Sequence, residues 1–244
     1  MFIQISLSDS CATTTDMLRR HPTDWLDPLP GLSRDAEHRY HLHDEELGSD
    51  MHHTFPVSVT GVLAAGKSTY AMKAIEATRE QWEPRGNTVH RALELACTDP
   101  AFHPDHWGPC WRWIDWVWPL LTHPLWDGVE VIASEMGLYA TDGSVAGTFD
   151  GAYQLPGGER ILFDLKTKAR ADAGAYDTRA QLGGYLWMAA QHGITFDGAA
   201  TLWARPGKTT PQCFGVDECL EAWAAAWEAY RALSRGGRRP LLIG

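Results

Sequence analysis

The sequence contains no apolar run near the ~18 residues that a membrane-spanning helix requires, no C-x-x-C pair, and no internal repeat or low-complexity tract. The first absence argues against a membrane span. The five cysteines (11, 97, 110, 213 and 219) are odd in number and scattered, which excludes a paired disulfide framework, and they read as reduced thiols. Basic residues are scarce, 21 Lys and Arg against 31 Asp and Glu, for a formal charge of −10. That balance excludes a general nucleic-acid coat protein, because backbone binding is driven by clustered Lys and Arg. It leaves room for a local basic groove around an acidic metal site. The opening Met-Phe-Ile-Gln-Ile-Ser lacks the basic flank and long apolar stretch of a secretion signal, so a cytoplasmic location in the host cell is expected. With 44% hydrophobic residues among 244, the chain can bury a full core and reads as one domain.

Residues 1–55 carry scattered Pro, Asp and His and predict an irregular arm with a short strand near Arg39 to Leu42. Five histidines crowd this arm (38, 41, 43, 52 and 53), and they read as a solvated loop rather than a ligand cluster, since no pair sits on an assignable helix face. A helix is predicted from Tyr70 to Trp82. A second starts at Asn87 or Thr88, with Val89, Ala92, Leu93 and Ala96 on its buried face and His90 and Glu94 together at the border. Residues 107–126 hold six of the twelve tryptophans, apolar on more than one face, which is the pattern of a buried helix; a stacking platform for unpaired bases is the functional alternative. Strands follow at Val129 to Ala140, Val145 to Leu155 and Arg160 to Lys168, joined by Asp142-Gly143 and Pro156-Gly157-Gly158 turns into an antiparallel meander. A helix from Asp177 to Gln191, a strand from Gly198 to Ala204 and a helix from Val216 to Ser234 complete the pattern.

The two turns fix the register. They place Glu135 opposite Asp150, and Asp150 opposite Asp164, so three carboxylates line up across three strands. Directly opposed like charges destabilise a sheet. A divalent cation reverses that argument, since Mg²⁺ is held by carboxylates, water and phosphate oxygens. Lys166 shares the face of Asp164 and points into the same place. The bland alternative is a solvated acidic face, and a register slip by one residue would send a whole strand's side chains to the other side.

A second pattern competes for attention. "SVTGVLAAGKSTY" (58–70) holds Gly61, Gly66, Lys67 and Ser68 at the spacing of a phosphate-binding loop. Such a loop needs a preceding buried parallel strand and small, open residues, whereas here the preceding stretch is short and polar and the interior is Val-Leu-Ala-Ala. A role for Lys67 in binding nucleic-acid phosphate is the better reading.

The order of His90 in "GNTVHRALE", Glu135 in "SEMGLY", Asp150 in "GTFDG", Asp164-x-Lys166 in "FDLKT" and Gln181-x-x-x-Tyr185 in "QLGGY" resembles the RecB-like branch of the PD-(D/E)XK nucleases. Within that branch the chain is similar to phage exonucleases and the mitochondrial genome maintenance exonuclease, which carry a Pro-Ser-Val-Thr element. "FPVSVTGVL" matches it except that Val57 intervenes between Pro56 and Ser58. The resemblance spans roughly residues 55–205. It implies an α/β fold with a restriction-endonuclease-like core, a central mixed sheet containing the three-strand meander flanked by helices, and a nuclease domain over 56–244. The implied activity is metal-dependent hydrolysis of DNA, most readily as an exonuclease on single-stranded ends in replication, repair or recombination.

By the same resemblance, His90, Asp150, Asp164 and the Leu165 carbonyl hold Mg²⁺ or Mn²⁺. Lys166 orients or deprotonates the attacking water, Glu135 is a third acidic ligand or a partner of the ligands, and Gln181 and Tyr185 line the site. DNA contact falls to Lys168, Arg170, Arg179, Arg205 and Lys208. The related CRISPR-associated nucleases carry an iron–sulfur cluster on a C-terminal C-x-x-C that is absent here, so no cluster is expected. The alternatives are a catalytically inactive nucleic-acid-binding module of the same fold and a phosphate-loop nucleotide-binding protein.

Overall fold

A computed structural model describes residues 25–43 and 52–235; the predictions for 1–24, including Cys11, and for the end of the chain beyond 235 fall outside them. Five strands form one sheet in chain order: β4 (Glu130–Tyr139), β5 (Ala146–Gln154), β6 (Arg160–Thr167), β7 (Gly198–Arg205) and β8 (Lys208–Phe214). All neighbours are antiparallel except β6 and β7. That parallel pair needs a long crossover, and α6 (Arg179–Gln191) supplies it. The β4–β5 and β5–β6 turns each place a glycine in the left-handed region, Gly143 at φ 73 and Gly158 at φ 95, where other residues are strained.

The sheet is covered on both faces. On one lie α1 (Val59–Ala65), α6 and α7 (Val216–Arg235), around a core that includes Phe149, Leu162, Leu182 and Trp223. On the other lie α3 (Arg79–Thr98), α4 (Gly108–Trp111) and α5 (Ile114–Leu121), around Leu93, Leu120, Phe163 and Leu202. Gly183 lets α6 and α7 touch, since a Cβ there would stand 1.9 Å from the Cys219 carbonyl oxygen. A small antiparallel sheet of β1 (Leu32–Arg34), β2 (Tyr40–His43) and β3 (His52–Thr54) leans on the main one, where the Tyr40 hydroxyl donates to Thr148 Oγ1 at 3.0 Å. The described part of the arm, 25–43 and 52–55, is thus more ordered than its composition suggests. Two of its histidines have structural partners: His41 bonds Asp35 and Thr54, and His53 meets the Gly143 carbonyl.

Three predictions are corrected. The helix expected from Tyr70 to Trp82 ends early, as α2 (Thr69–Glu76), and α3 already begins at Arg79 and runs through Pro84. Pro84 removes one bond, that to the Glu80 carbonyl, and the buried stripe of Val89, Ala92 and Leu93 holds the helix regardless. The tryptophan segment is two short helices rather than one. Of its six rings only Trp111 is exposed, at 68%, so packing accounts for the rest. Strand β8 has no counterpart in the sequence reading, because Pro211 in "KTTPQCF" argues against a strand; as the sheet's edge, β8 tolerates it.

Candidate metal centre

The ladder between β5 and β6 runs from Gln154↔Arg160 to Gly151↔Phe163, and Asp150 and Asp164 come one position further, where the strands part. The turn-derived registers hold up to the site, through Ser134↔Gly151, Met136↔Phe149 and Gly151↔Phe163, but Glu135 and Asp150, and Asp150 and Asp164, are not themselves ladder pairs. Asp150 fills the opening: its Oδ2 accepts the Leu165 N–H at 2.5 Å, in place of a backbone carbonyl. A strand residue sends its N–H and C=O to the same side, so the Leu165 carbonyl faces this opening too.

Helix α3 brings His90 from one side, with Nδ1 3.1 Å from Asp150 Oδ1. Strand β4 brings Glu135, which lies between the paired residues Ser134 and Met136 and has φ 49. A left-handed glutamate within a strand is strained by ~1–2 kcal/mol. The distortion has a local effect: Glu135, His90 and Asp150 each place a ligand atom within 4.8 Å of the others.

Asp164 stands outside that group and faces α6. It is 2% exposed; its Oδ1 accepts from Gln181 Nε2 at 2.8 Å, and Gln181 Nε2 also reaches the Tyr185 hydroxyl at 3.1 Å. Lys166 Nζ lies 2.7 Å from Asp164 Oδ2, a charge contact without hydrogen-bond alignment, which leaves this buried oxygen with no aligned donor. The sequence-predicted row is therefore real in register but divided, with two carboxylates turned to His90 and one to Lys166.

The electrostatics follow from burial and crowding. Burial, reinforced by Asp150, pushes the Glu135 carboxyl up to about 7. Burial likewise raises Asp164, to about 6, against the opposing pull of Lys166. Burial also opposes ionisation of Asp150, but His90, Lys166 and the Leu165 N–H outweigh it and hold that carboxyl below its ordinary range. For Lys166 burial favours the neutral amine, yet the Asp164 carboxylate dominates and keeps the ammonium charged. His90 is raised in the same way, burial being overcome by Asp150. Crowded carboxyls that resist ionising together, beside an imidazole, form a donor set that can hold a cation.

A cleft of about 1110 Å³ lies over these groups, and its walls include Ser58, Lys67, Trp82, Lys166 and Tyr176. None of the five predicted DNA-contacting cations is among its walls. Arg205 departs furthest from expectation: it is 8% exposed and donates to the Ala173 carbonyl at 3.0 Å. Lys168 lies over the rings of Tyr176 and Trp203, Arg170 pairs with Asp172, and Arg179 pairs with Asp177 and Glu218. Lys208 is exposed at the β7–β8 turn. The cleft instead carries Arg34 and Lys67, of which only Lys67 had a sequence signal, and Tyr176, which had none.

The phosphate-loop pattern does not form a loop. Residues 59–65 are α1, capped by Ser58, whose hydroxyl accepts the Gly61 N–H at 3.1 Å, so these amides are committed to the helix. Comparison with known protein families finds no match, and comparison with curated proteins finds none. Among solved structures, the crystal structure of SSO0001 matches with a TM-score of 0.35 and 16% identity, over 78% of this chain and 81% of that one.

Proposed function

We propose that this chain is a metal-dependent deoxyribonuclease built on the restriction-endonuclease-like core of the RecB-like PD-(D/E)XK enzymes. The observation that carries the reading is the pairing of Lys166 with Asp164 at 2.7 Å, beside the convergent His90, Glu135 and Asp150, in one cleft. Mg²⁺ or Mn²⁺ bound there would supply Lewis acidity toward a phosphodiester and lower the pKa of a water. The residues that would hold it are His90, Glu135 and Asp150, whose ligand atoms converge, joined on the family resemblance by Asp164 and the Leu165 carbonyl. Gln181, steadied by Tyr185, fixes the Asp164 carboxylate. Lys166, 2.7 Å from Asp164 Oδ2, would orient the attacking water or take its proton, and would offset charge building on the scissile phosphate. His90 must be neutral to ligate, so metal binding displaces its proton. Among the described residues no helix is long and apolar enough to cross a membrane. The proposed partner is DNA with free ends.

The test is cleavage of end-labelled linear single-stranded DNA, with circular and duplex controls, in Mg²⁺ and Mn²⁺, by wild type and Lys166→Ala. Metal-dependent digestion that vanishes in the variant is expected, and sparing of circles marks an exonuclease. Retained DNA binding without digestion of any substrate would favour the inactive binding module instead.

A further inference from the structure

Large exposed aromatic rings are few among the described residues: Tyr70, Trp111 and Tyr176. Only Tyr176 belongs to the cleft, where it shares the walls with Asp150, Asp164 and Lys166. It sits on the segment between β6 and α6 and is 52% exposed. Ordinarily a surface tyrosine on a loop means little. This one is held. The buried Trp203 meets it edge-on, with centroids 5.0 Å apart at 81°, and Trp203 is itself fixed through Nε1 to Gln212. The Lys168 ammonium stands 4.1 Å from the Tyr176 centroid and 4.9 Å from that of Trp203, bridging the two rings.

The segment is anchored on either side of the ring as well. Arg205 donates to the Ala173 carbonyl, and the Thr178 and Thr201 hydroxyls bond at 2.6 Å in the interior. A half-exposed aromatic surface is thus rigid before any ligand arrives, which removes the ordering cost of stacking on it. Lys67 and Lys166 line the same cleft as Tyr176, and Lys67 is exposed on its wall with no carboxylate partner among the described residues. A strand passing Lys166 meets a cation for its phosphates and a ring for a base. That pairing is how unpaired strands are bound without regard to sequence.

We propose that Tyr176 is a stacking platform for an unpaired base of the substrate strand, so that the cleft takes single-stranded DNA; this rests on the nuclease reading. In a duplex each base face is covered by its neighbours, and freeing one requires unstacking. The platform therefore discriminates against intact duplex beside Lys166.

The probe is a short fluorescein-labelled oligothymidylate and an abasic strand of equal length, titrated in Ca²⁺ and followed by anisotropy. Wild type, Tyr176→Phe, Tyr176→Leu and Tyr176→Ala are compared, with far-UV circular dichroism confirming the fold. Loss of one base–aromatic stack weakens oligothymidylate binding roughly 5- to 150-fold in the Ala variant. The Phe variant binds as wild type, the Leu variant falls toward Ala, and all four bind the abasic strand alike. Equal affinity of wild type and Tyr176→Ala for oligothymidylate would overturn the platform, and so would an equal loss on the abasic strand. Wild type that neither binds nor cleaves any strand removes the nuclease reading too, whereas wild type that cleaves single strands while Tyr176→Ala binds them unchanged removes only the platform.

Discussion

Replacing Glu135 with Gln separates crowding from ligation, because the two act in opposite directions. In the metal-free fold the Glu135 carboxyl is raised from an ordinary 4.5 to about 7 by burial and by Asp150. Its proton is therefore bound more tightly folded than unfolded. The stability this confers is fully present below about pH 4.5 and is lost as pH rises through about 7. At pH 8 the folded protein carries a carboxylate it would rather protonate, at a cost capped near ~3 kcal/mol and reduced by water in the cleft to ~1–2 kcal/mol. Gln keeps the shape and removes the charge. Metal-free Glu135→Gln should then melt ~2–8 °C above wild type at pH 8, at ~2–4 °C per kcal/mol for a chain of this size. The gap should shrink as pH falls from about 7 and close near 4.5. With Mn²⁺ at a hundredfold excess over its dissociation constant, wild type should gain ~2.7 kcal/mol, or ~5–10 °C, and the variant should gain visibly less. The assay is a thermal melt at several pH values in EDTA and in Mn²⁺. A metal-free variant that melts at or below wild type at pH 8 would refute the crowding argument, and an undiminished Mn²⁺ shift would remove Glu135 from the ligand set.

Lys166→Ala should lower nuclease turnover by ~10²-fold or more while leaving the Mn²⁺ melting shift intact or larger, since one positive charge leaves the site; a lost shift would make Lys166 structural. Because Asp150 raises His90, overcoming burial, and the metal needs the neutral imidazole, Mn²⁺ affinity should fall as pH drops from 8 to 6, with ~1–2 protons released on binding near neutrality. Calorimetry in two buffers of different ionisation enthalpy measures both, and pH-independent affinity would exclude His90 as a ligand. Gly183→Ala places a Cβ against the Cys219 carbonyl, which is backbone and cannot rotate away, so α6 and α7 must separate at ~1–3 kcal/mol and the melt should drop ~2–12 °C.

The acidic row was legible because its two turns are chemically explicit. Asp142-Gly143 and Pro156-Gly157-Gly158 leave few ways to count, and pairs such as Met136↔Phe149 and Gly151↔Phe163 follow from them. An irregularity between Val131 and Ala133 shifts the register farther down β4, beyond the site, so it does no harm to the carboxylates. The five cations expected to meet DNA lie off the cleft walls, and the sequence could not show this because a charge carries no local mark of its partner. Arg205 looks free in "ARPGKT", and only the hairpin to β8, concealed by Pro211, turns it into a buried strut for the loop at Ala173. Lys168 was likewise read as a DNA contact, whereas it lies over Tyr176, eight positions on, and Trp203, from the next strand.

Departures from the local rules of folding are not scattered over this chain. The left-handed His38 lies between β1 and β2, where such a conformation is unremarkable, but the left-handed Glu135 sits within a strand. Beside it the β5–β6 ladder opens and a carboxylate replaces the missing strand contact. The same opening gathers carboxyls raised toward neutrality and a buried oxygen without an aligned donor, and a rigid tyrosine stands on the cleft wall. Each feature alone lowers or wastes stability, and none is needed to close the sheet or its two cores. Their convergence on one cleft is what a chain shows when the missing terms come from a ligand, positive for the carboxylates and flat and apolar for the ring. A cation alone would satisfy only the first half of that requirement; a cation together with a ligand that carries a flat ring would satisfy both.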